Sequence, residues 1–153
     1  RSQQKTLTEL RKQISDTSIL EVKCPLDHGR HDANPELGAT LGTLCALPVE
    51  LQQTVLSFLD INSLLVFRRV SRSAMGLVNA LIDYHKVVTT APDAIRMALA
   101  IRTHHYHTIT ELFEALCVRE CADCGTLTHY IDLVTLRRVC LSLNRHCNHT
   151  LAP

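Results

Sequence analysis

The chain has 153 residues, of which 46% are hydrophobic, 4% aromatic and none Trp, so it suits one domain, or one small module with attachments, around a core of Leu, Val and Ile. A net charge of +1 excludes a bulk electrostatic pull toward nucleic acid or an anionic membrane. No apolar run approaches the ~20 residues that a membrane span needs.

The first 20 residues are polar, with Leu7, Leu10 and Ile14 at the spacing of a short exposed helix. Residues 24–44 hold two of the five Pro and three of the five Gly and read as an ordered loop or linker. From Pro48 the pattern becomes amphipathic helix. Pro48 suits the first helical position, Glu50 sits in the first turn, and Leu51, Val55, Leu56, Phe58 and Leu59 fall on one broad face. Asp60-Ile61-Asn62-Ser63 is a break with cap-forming side chains. A second helix carries Leu64, Leu65, Phe67 and Val70. After Ser71-Arg72-Ser73, apolar spacing resumes at Ala74, Leu77, Val78 and Leu81 and ends near Asp83. A helix is expected from the Thr90-Pro92-Asp93 region to about Arg102, closed by His104, His105 and His107, whose charge complements a helix C-terminus. Thr108-x-x-Glu111 matches a capping box ahead of Ile109, Leu112, Phe113 and Leu116. Tyr130 to Val134 reads as a short strand, and Thr135 as the cap of a last helix through Cys140.

Seven cysteines, an odd number with no signal peptide, speak against a disulfide framework and for metal ligation or buried thiols in the cytosol or nucleus. Cys121-x2-Cys124 followed by Gly125 is half of a zinc knuckle, the Gly permitting the left-handed turn that aims backbone N–H groups at sulfur. Cys140 follows after fifteen residues, within the spacing of a paired half-site. The expected fourth Cys position is Leu143, which leaves Cys147, His146 and His149. Ligands six or seven apart on a straight helix lie about 9–10.5 Å apart along its axis, so Cys140 and Cys147 can share a metal only if no helix joins them. Cys147 ranks first and His146 second. Cys24-x3-His28-x2-His31 has metal-like spacing but no evident fourth ligand, and reads as a loop with a buried Cys. Cys45 and Cys117 sit on apolar stretches and read as core.

Several runs resemble the F-box family. They are Leu47-Pro48-Val49-Glu50-Leu51, Val55-Leu56-Ser57-Phe58-Leu59-Asp60, Ser63-Leu64-Leu65 and Phe67-Arg68-Arg69-Val70-Ser71-Arg72. Ala74 and Met75 stand where the family commonly has a Trp. The resemblance implies a three-helix module over residues 47–84, preceded by a polar segment and loop over 1–46. A helical segment with a Cys-rich, zinc-stabilised module follows over 85–153 and ends before its natural C-terminus. It further implies that Leu47, Pro48, Leu51, Val55, Leu56, Leu59, Leu64 and Leu65 meet a Skp-type adaptor. Such a chain would be the non-catalytic substrate receptor of a cullin ubiquitin ligase.

Packing agrees, since three short helices cannot cover all of these apolar side chains, and each left exposed forgoes roughly 1.5–3 kcal/mol of burial. The lead-in Cys24-Pro25-Leu26-Asp27-His28, the Leu41-Gly42-Thr43-Leu44 run, Cys121-Ala122-Asp123-Cys124-Gly125 and Arg138-Val139-Cys140 are similar to a fungal group of these proteins, with zinc held by Cys121, Cys124, Cys140 and Cys147. The alternative is a zinc-stabilised nucleic-acid or protein-interaction module unconnected with ubiquitin. Arg137, Arg138 and Arg145 are few for nucleic acid and lack stacking aromatics. No nucleophile elbow, phosphate loop or paired-carboxylate site marks an enzyme.

Overall fold

The computed structural model describes residues 18–23, 26, 41–140 and 147. The helix expected around Leu7, Leu10 and Ile14 lies outside these residues, as do Cys24, His28, His31, His146 and His149. Among the described residues the protein is mainly helical. Helix α1 is Ser18–Lys23, and a 3-10 turn covers Gly42–Ala46. Then come α2 Val49–Ser57, α3 Ile61–Arg68, α4 Arg72–Asn79, α5 Ile82–Thr90, α6 Pro92–Ala100 and α7 Ile109–Cys117. A two-stranded ribbon, β1 Tyr130–Asp132 and β2 Arg137–Val139, follows.

Local chemistry sets most of the starts. Asp60 caps α3, its carboxylate accepting from the Ser63 N–H at 3.1 Å, and Ser71 caps α4 by accepting from Ala74 N–H at 3.1 Å. Both side chains accept from otherwise orphaned first-turn donors. Thr108 and Glu111 form the reciprocal box ahead of α7, at 2.7 and 3.2 Å. Pro48 takes the cap of α2 rather than its first turn, and its carbonyl accepts from Leu51 and Gln52 N–H at 3.0 Å each. Pro92 opens α6, where its missing N–H costs nothing.

The core joins α2–α5 to the later helices without a seam. Leu64, Val78, Val87, Ile95, Ile109 and Leu112 are fully enclosed, and α5 packs on both α6 and α7. Main-chain bonds reinforce this contact. Ile61 N–H donates to the His107 carbonyl at 3.0 Å and Asn62 N–H to the His104 carbonyl at 3.2 Å, clamping the start of α3 to the turn before α7. Buried Arg68 donates from Nε to Asn79 Oδ1 at 3.0 Å, tying α3 to the end of α4. Buried Arg96 pairs with Asp93 at 2.8 Å and with Glu21 at 3.7 Å, which holds α1 on α6.

Four expectations are corrected. Residues 135–140 are not a helix. Asp132 accepts from Val134 N–H and the Thr135 hydroxyl at 2.9 and 2.7 Å, an Asx-type turn, and Leu136 at φ +53 reverses the chain. Arg137–Val139 then pairs antiparallel to Tyr130–Asp132 in the register Tyr130↔Val139. The run through Leu81 is broken at Ala80, and a separate helix, α5, follows. Tyr84 and Val87, three apart and both buried, carry its inner face. His104, His105 and His107 lie beyond the end of α6 at Ala100, in the turn that meets α3, so they do not close a helix. Cys45 and Cys117 are exposed, because each sits on the outward side of its short helix.

Candidate docking face and metal centre

Helix α2 carries two apolar stripes that point in different directions. Gln52 and Leu56, one turn apart, are buried, Leu56 at 2% exposure, and Gln52 Nε2 donates to the Leu47 carbonyl at 2.8 Å. Leu51, Val55 and Phe58, spaced i, i+4, i+7, are 50%, 46% and 78% exposed. Leu47, Pro48 and Val49 lead into this second stripe and are exposed as well. A separate groove of about 190 Å3 runs between Gln53 and Ser57, on the opposite side of α2, Leu81 and Ile82 at the start of α5, and Ile109 and Thr110 of α7. Ile82 is 68% exposed. An exposed apolar strip of this kind marks a protein contact surface.

The second centre is built by the ribbon. Gly125, at φ +68, turns the chain after Cys124 and donates to the Cys121 carbonyl at 3.0 Å. A Cβ at Gly125 would meet nothing within 4 Å, so it is the left-handed backbone that favours Gly there. Cys121 N–H donates to the Thr126 carbonyl at 2.8 Å, and Ala122 N–H to the Arg138 carbonyl at 2.9 Å, which brings the knuckle against β2. The result places the sulfurs of Cys121, Cys124, Cys140 and Cys147 all within 4.8 Å of one another. The Cys121–Cys147 pair stands at 3.6 Å and the Cys124–Cys140 pair at 3.5 Å. Four sulfurs at 2.3 Å from a tetrahedral ion would be about 3.8 Å apart, so the four thiols can hold a metal.

The environment splits the four thiols electrostatically. The backbone N–H groups of Asp123 and Cys124 face the Cys121 sulfur and draw its pKa down to about 5. The Thr126 hydroxyl and N–H lower Cys124. Burial, with the neighbouring Cys121 and Cys124 sulfurs, pushes Cys147 up to about 12. At Cys140 the Thr126 hydroxyl pulls downward, but burial and the Cys124 and Cys121 sulfurs together outweigh it and raise the group. Cys121 is thus prepared as a thiolate and Cys124 is shifted in the same direction, while Cys140 and Cys147 hold their protons until a cation displaces them.

The ribbon is fixed to the helices by Arg138, Leu133 and His107. Arg138 donates from Nε to the Val118 carbonyl at 2.9 Å, from one terminal nitrogen to Leu116 at 2.9 Å and from the other to His129 at 3.2 Å. The first two carbonyls end α7. Leu133 enters the main core, and His107 Nε2 meets the Val134 carbonyl at 3.1 Å.

Residues 44–86 match the family model described as F-box domain. The chain carries an F-box. Neither a curated protein nor a solved structure matches the chain. F-box domains bind Skp-type adaptors, and through them cullins. The F-box match takes in the end of the 3-10 turn, α2–α4 and the first half of α5, and contains the whole exposed stripe.

Of the residues expected to meet an adaptor, Leu47, Pro48, Leu51 and Val55 are on the surface and Leu59 is half-buried. Leu56, Leu64 and Leu65 lie in the core, 2%, 0% and 9% exposed beneath the protein's own helices. Phe58, 78% exposed, continues the strip at i+7 from Leu51, on the apolar face that its spacing already implied, although it was not named among the adaptor contacts. Thr126 and Arg138 were also missed. Arg138 acts on carbonyls 9 to 22 residues away, and Thr126 reaches Cys140, fourteen residues on, as well as Cys124 two residues back.

Proposed function

We propose that this chain is the substrate-receptor subunit of a Skp–cullin–F-box ubiquitin ligase, docking on the adaptor through Leu47, Pro48, Leu51, Val55, Phe58 and Leu59. The observation that carries the reading is the uncovered apolar stripe of α2 lying inside the F-box match. On this reading the chain binds and positions, and ubiquitin transfer belongs to other subunits. We further propose that Cys121, Cys124, Cys140 and Cys147 hold one structural zinc, in a closed site with four protein sulfurs and no position for water. Neutral thiols among the four release their protons on loading, so zinc affinity rises with pH. A reducing compartment, cytosol or nucleus, suits both the free thiols and the partner. The lead-in and knuckle motifs support a grouping with the fungal F-box proteins.

Leu51→Glu combined with Val55→Glu tests the docking. Both side chains are already half-exposed, so the variant keeps its helices by circular dichroism. Two charges in the centre of an apolar contact should weaken capture of a purified Skp-type adaptor by roughly thirty-fold or more, on the hot-spot scale of 2 kcal/mol and above. Capture equal to wild type removes the docking assignment.

A further inference from the structure

We propose that the cleft between the end of α7 and the cysteine ribbon binds an acidic peptide segment, with a carboxylate met by Arg119 and His129 and a neighbouring apolar side chain seated on Leu116 and Leu127. This deepens the receptor reading by assigning a substrate class, and it rests on that reading for its biological sense.

The cleft has a volume of about 400 Å3 and is lined by Leu116, Arg119, Leu127, Thr128, His129 and Arg138. Its size is that of one or two side chains. Every ionisable group in the lining is basic, and none is a carboxylate. The three basic residues differ in freedom. Arg138 is immobilised by the Leu116, Val118 and His129 carbonyls. Neutral carbonyls leave its full positive charge in place, so it acts as a fixed cation at the base of the cleft. The Arg119 side chain makes no ion pair or hydrogen bond among the described residues, and that residue and His129 are both exposed. Both remain available as donors, His129 in either charge state. The Thr128 hydroxyl is committed to the Val139 carbonyl at 2.7 Å.

The apolar half of the cleft is equally specific about its occupant. Leu127 is 77% exposed although it is held in a backbone bridge to Glu120, and Val118 beside it is 52% exposed. A rigidly held Leu with most of its surface in water is a wall without a filling. Inorganic phosphate would satisfy the cations but leave the leucines uncovered. Nucleic acid would satisfy the charge, but the lining holds no Phe, Tyr or Trp for a base to stack on. A peptide with Asp or Glu beside an aliphatic residue meets both halves. Four of the six lining residues, Leu127 to His129 and Arg138, lie between the metal-binding cysteines in sequence, so the cleft exists only while the ribbon is folded.

The test is fluorescence polarisation with a fluorescein-labelled hexapeptide of alternating Glu and Leu, its Gln–Leu counterpart, and a labelled oligothymidylate. The full zinc-loaded chain is titrated with and without a Skp-type adaptor. The Glu–Leu peptide is expected to bind at least roughly ten-fold tighter than Gln–Leu, with affinity falling as salt is raised. Arg119→Glu with His129→Glu should abolish that preference, with zinc content and adaptor capture unchanged. No Glu–Leu binding, equal binding of the two peptides, retained preference in the double variant, or tighter binding of the oligothymidylate each overturns the proposal. Failure of the wild-type chain to capture adaptor while still preferring Glu–Leu defeats the receptor reading alone.

Discussion

Thr126 touches the cysteine cluster with both its backbone and its side chain. Its carbonyl accepts from Cys121 N–H, and its hydroxyl lies 3.0 Å from the Cys124 sulfur and 3.2 Å from that of Cys140. Four thiolates around a divalent ion carry an excess of two negative charges, and a hydroxyl donor at their edge offsets part of it. Thr126→Val keeps the shape and removes the donor. Zinc affinity should then fall by roughly ten- to a hundred-fold, the usual effect of an outer-shell partner, when measured by competition with a chromogenic chelator. Thr126→Ser should hold close to wild type, and equal affinity for Val and wild type would show that the hydroxyl is idle. The spacing of the cysteines already pointed to the group of four that the fold brings together. Their supporting atoms were not legible. Thr126 contacts Cys140 fourteen residues on, and Arg138 reaches carbonyls as many as 22 residues away, distances at which a sequence pattern carries no signal.

At the scale of elements, the starts of α3, α4 and α7 were readable because a cap is a short-range contact between side chain and backbone. Asp60 shows how such a cap depends on pH. Burial pushes its carboxyl up, but hydrogen bonds from the Ser63 side chain and backbone, with His105 4.0 Å away, outweigh burial and leave it below the ordinary 3.8. A depressed acid stabilises the folded state fully above its ordinary value, and that contribution fades as pH falls through the lowered one. Asp60→Ala should therefore cost about 1 kcal/mol at neutral pH. The gap in urea midpoint between variant and wild type should narrow below pH 3.8. A gap that is constant down to strong acid would mean the charge plays no part. What periodicity could not decide was which apolar face is covered and by what. Leu51 and Leu56 look alike in a helical pattern, yet only later helices, folded over α3 and α4, separate core from docking surface. The ribbon strand at 137–139 was misread as a helix for a related reason. Its conformation follows from the Asp132 turn and from pairing with β1, not from its own residues.

For the whole molecule, the question is what a metal at the four sulfurs would hold. The helical core from Leu56 to Leu112 is closed by residues of α2–α7, and of the ribbon only Leu133 is buried within it, with Ile131 and Leu136 packed at its edge. The helices should consequently stand without the ribbon, whereas the ribbon should not stand without its metal. A segment of about twenty residues buries too little to offset its own conformational entropy, and a structural zinc contributes on the order of 10 kcal/mol. Protein purified without chelator should contain one zinc per chain by elemental analysis, and Cys121→Ser or Cys124→Ser should lose it. Stripping the metal should raise hydrogen exchange across residues 119–140, chiefly at the amides of Cys121, Ala122 and Gly125. The helical circular dichroism and adaptor capture should stay near wild type. Collapse of the helices on chelation would instead make the four sulfurs part of the main fold, because the ribbon's anchors, Arg138 on the α7 carbonyls and His107 on Val134, would then be holding the bundle together rather than hanging the ribbon from it.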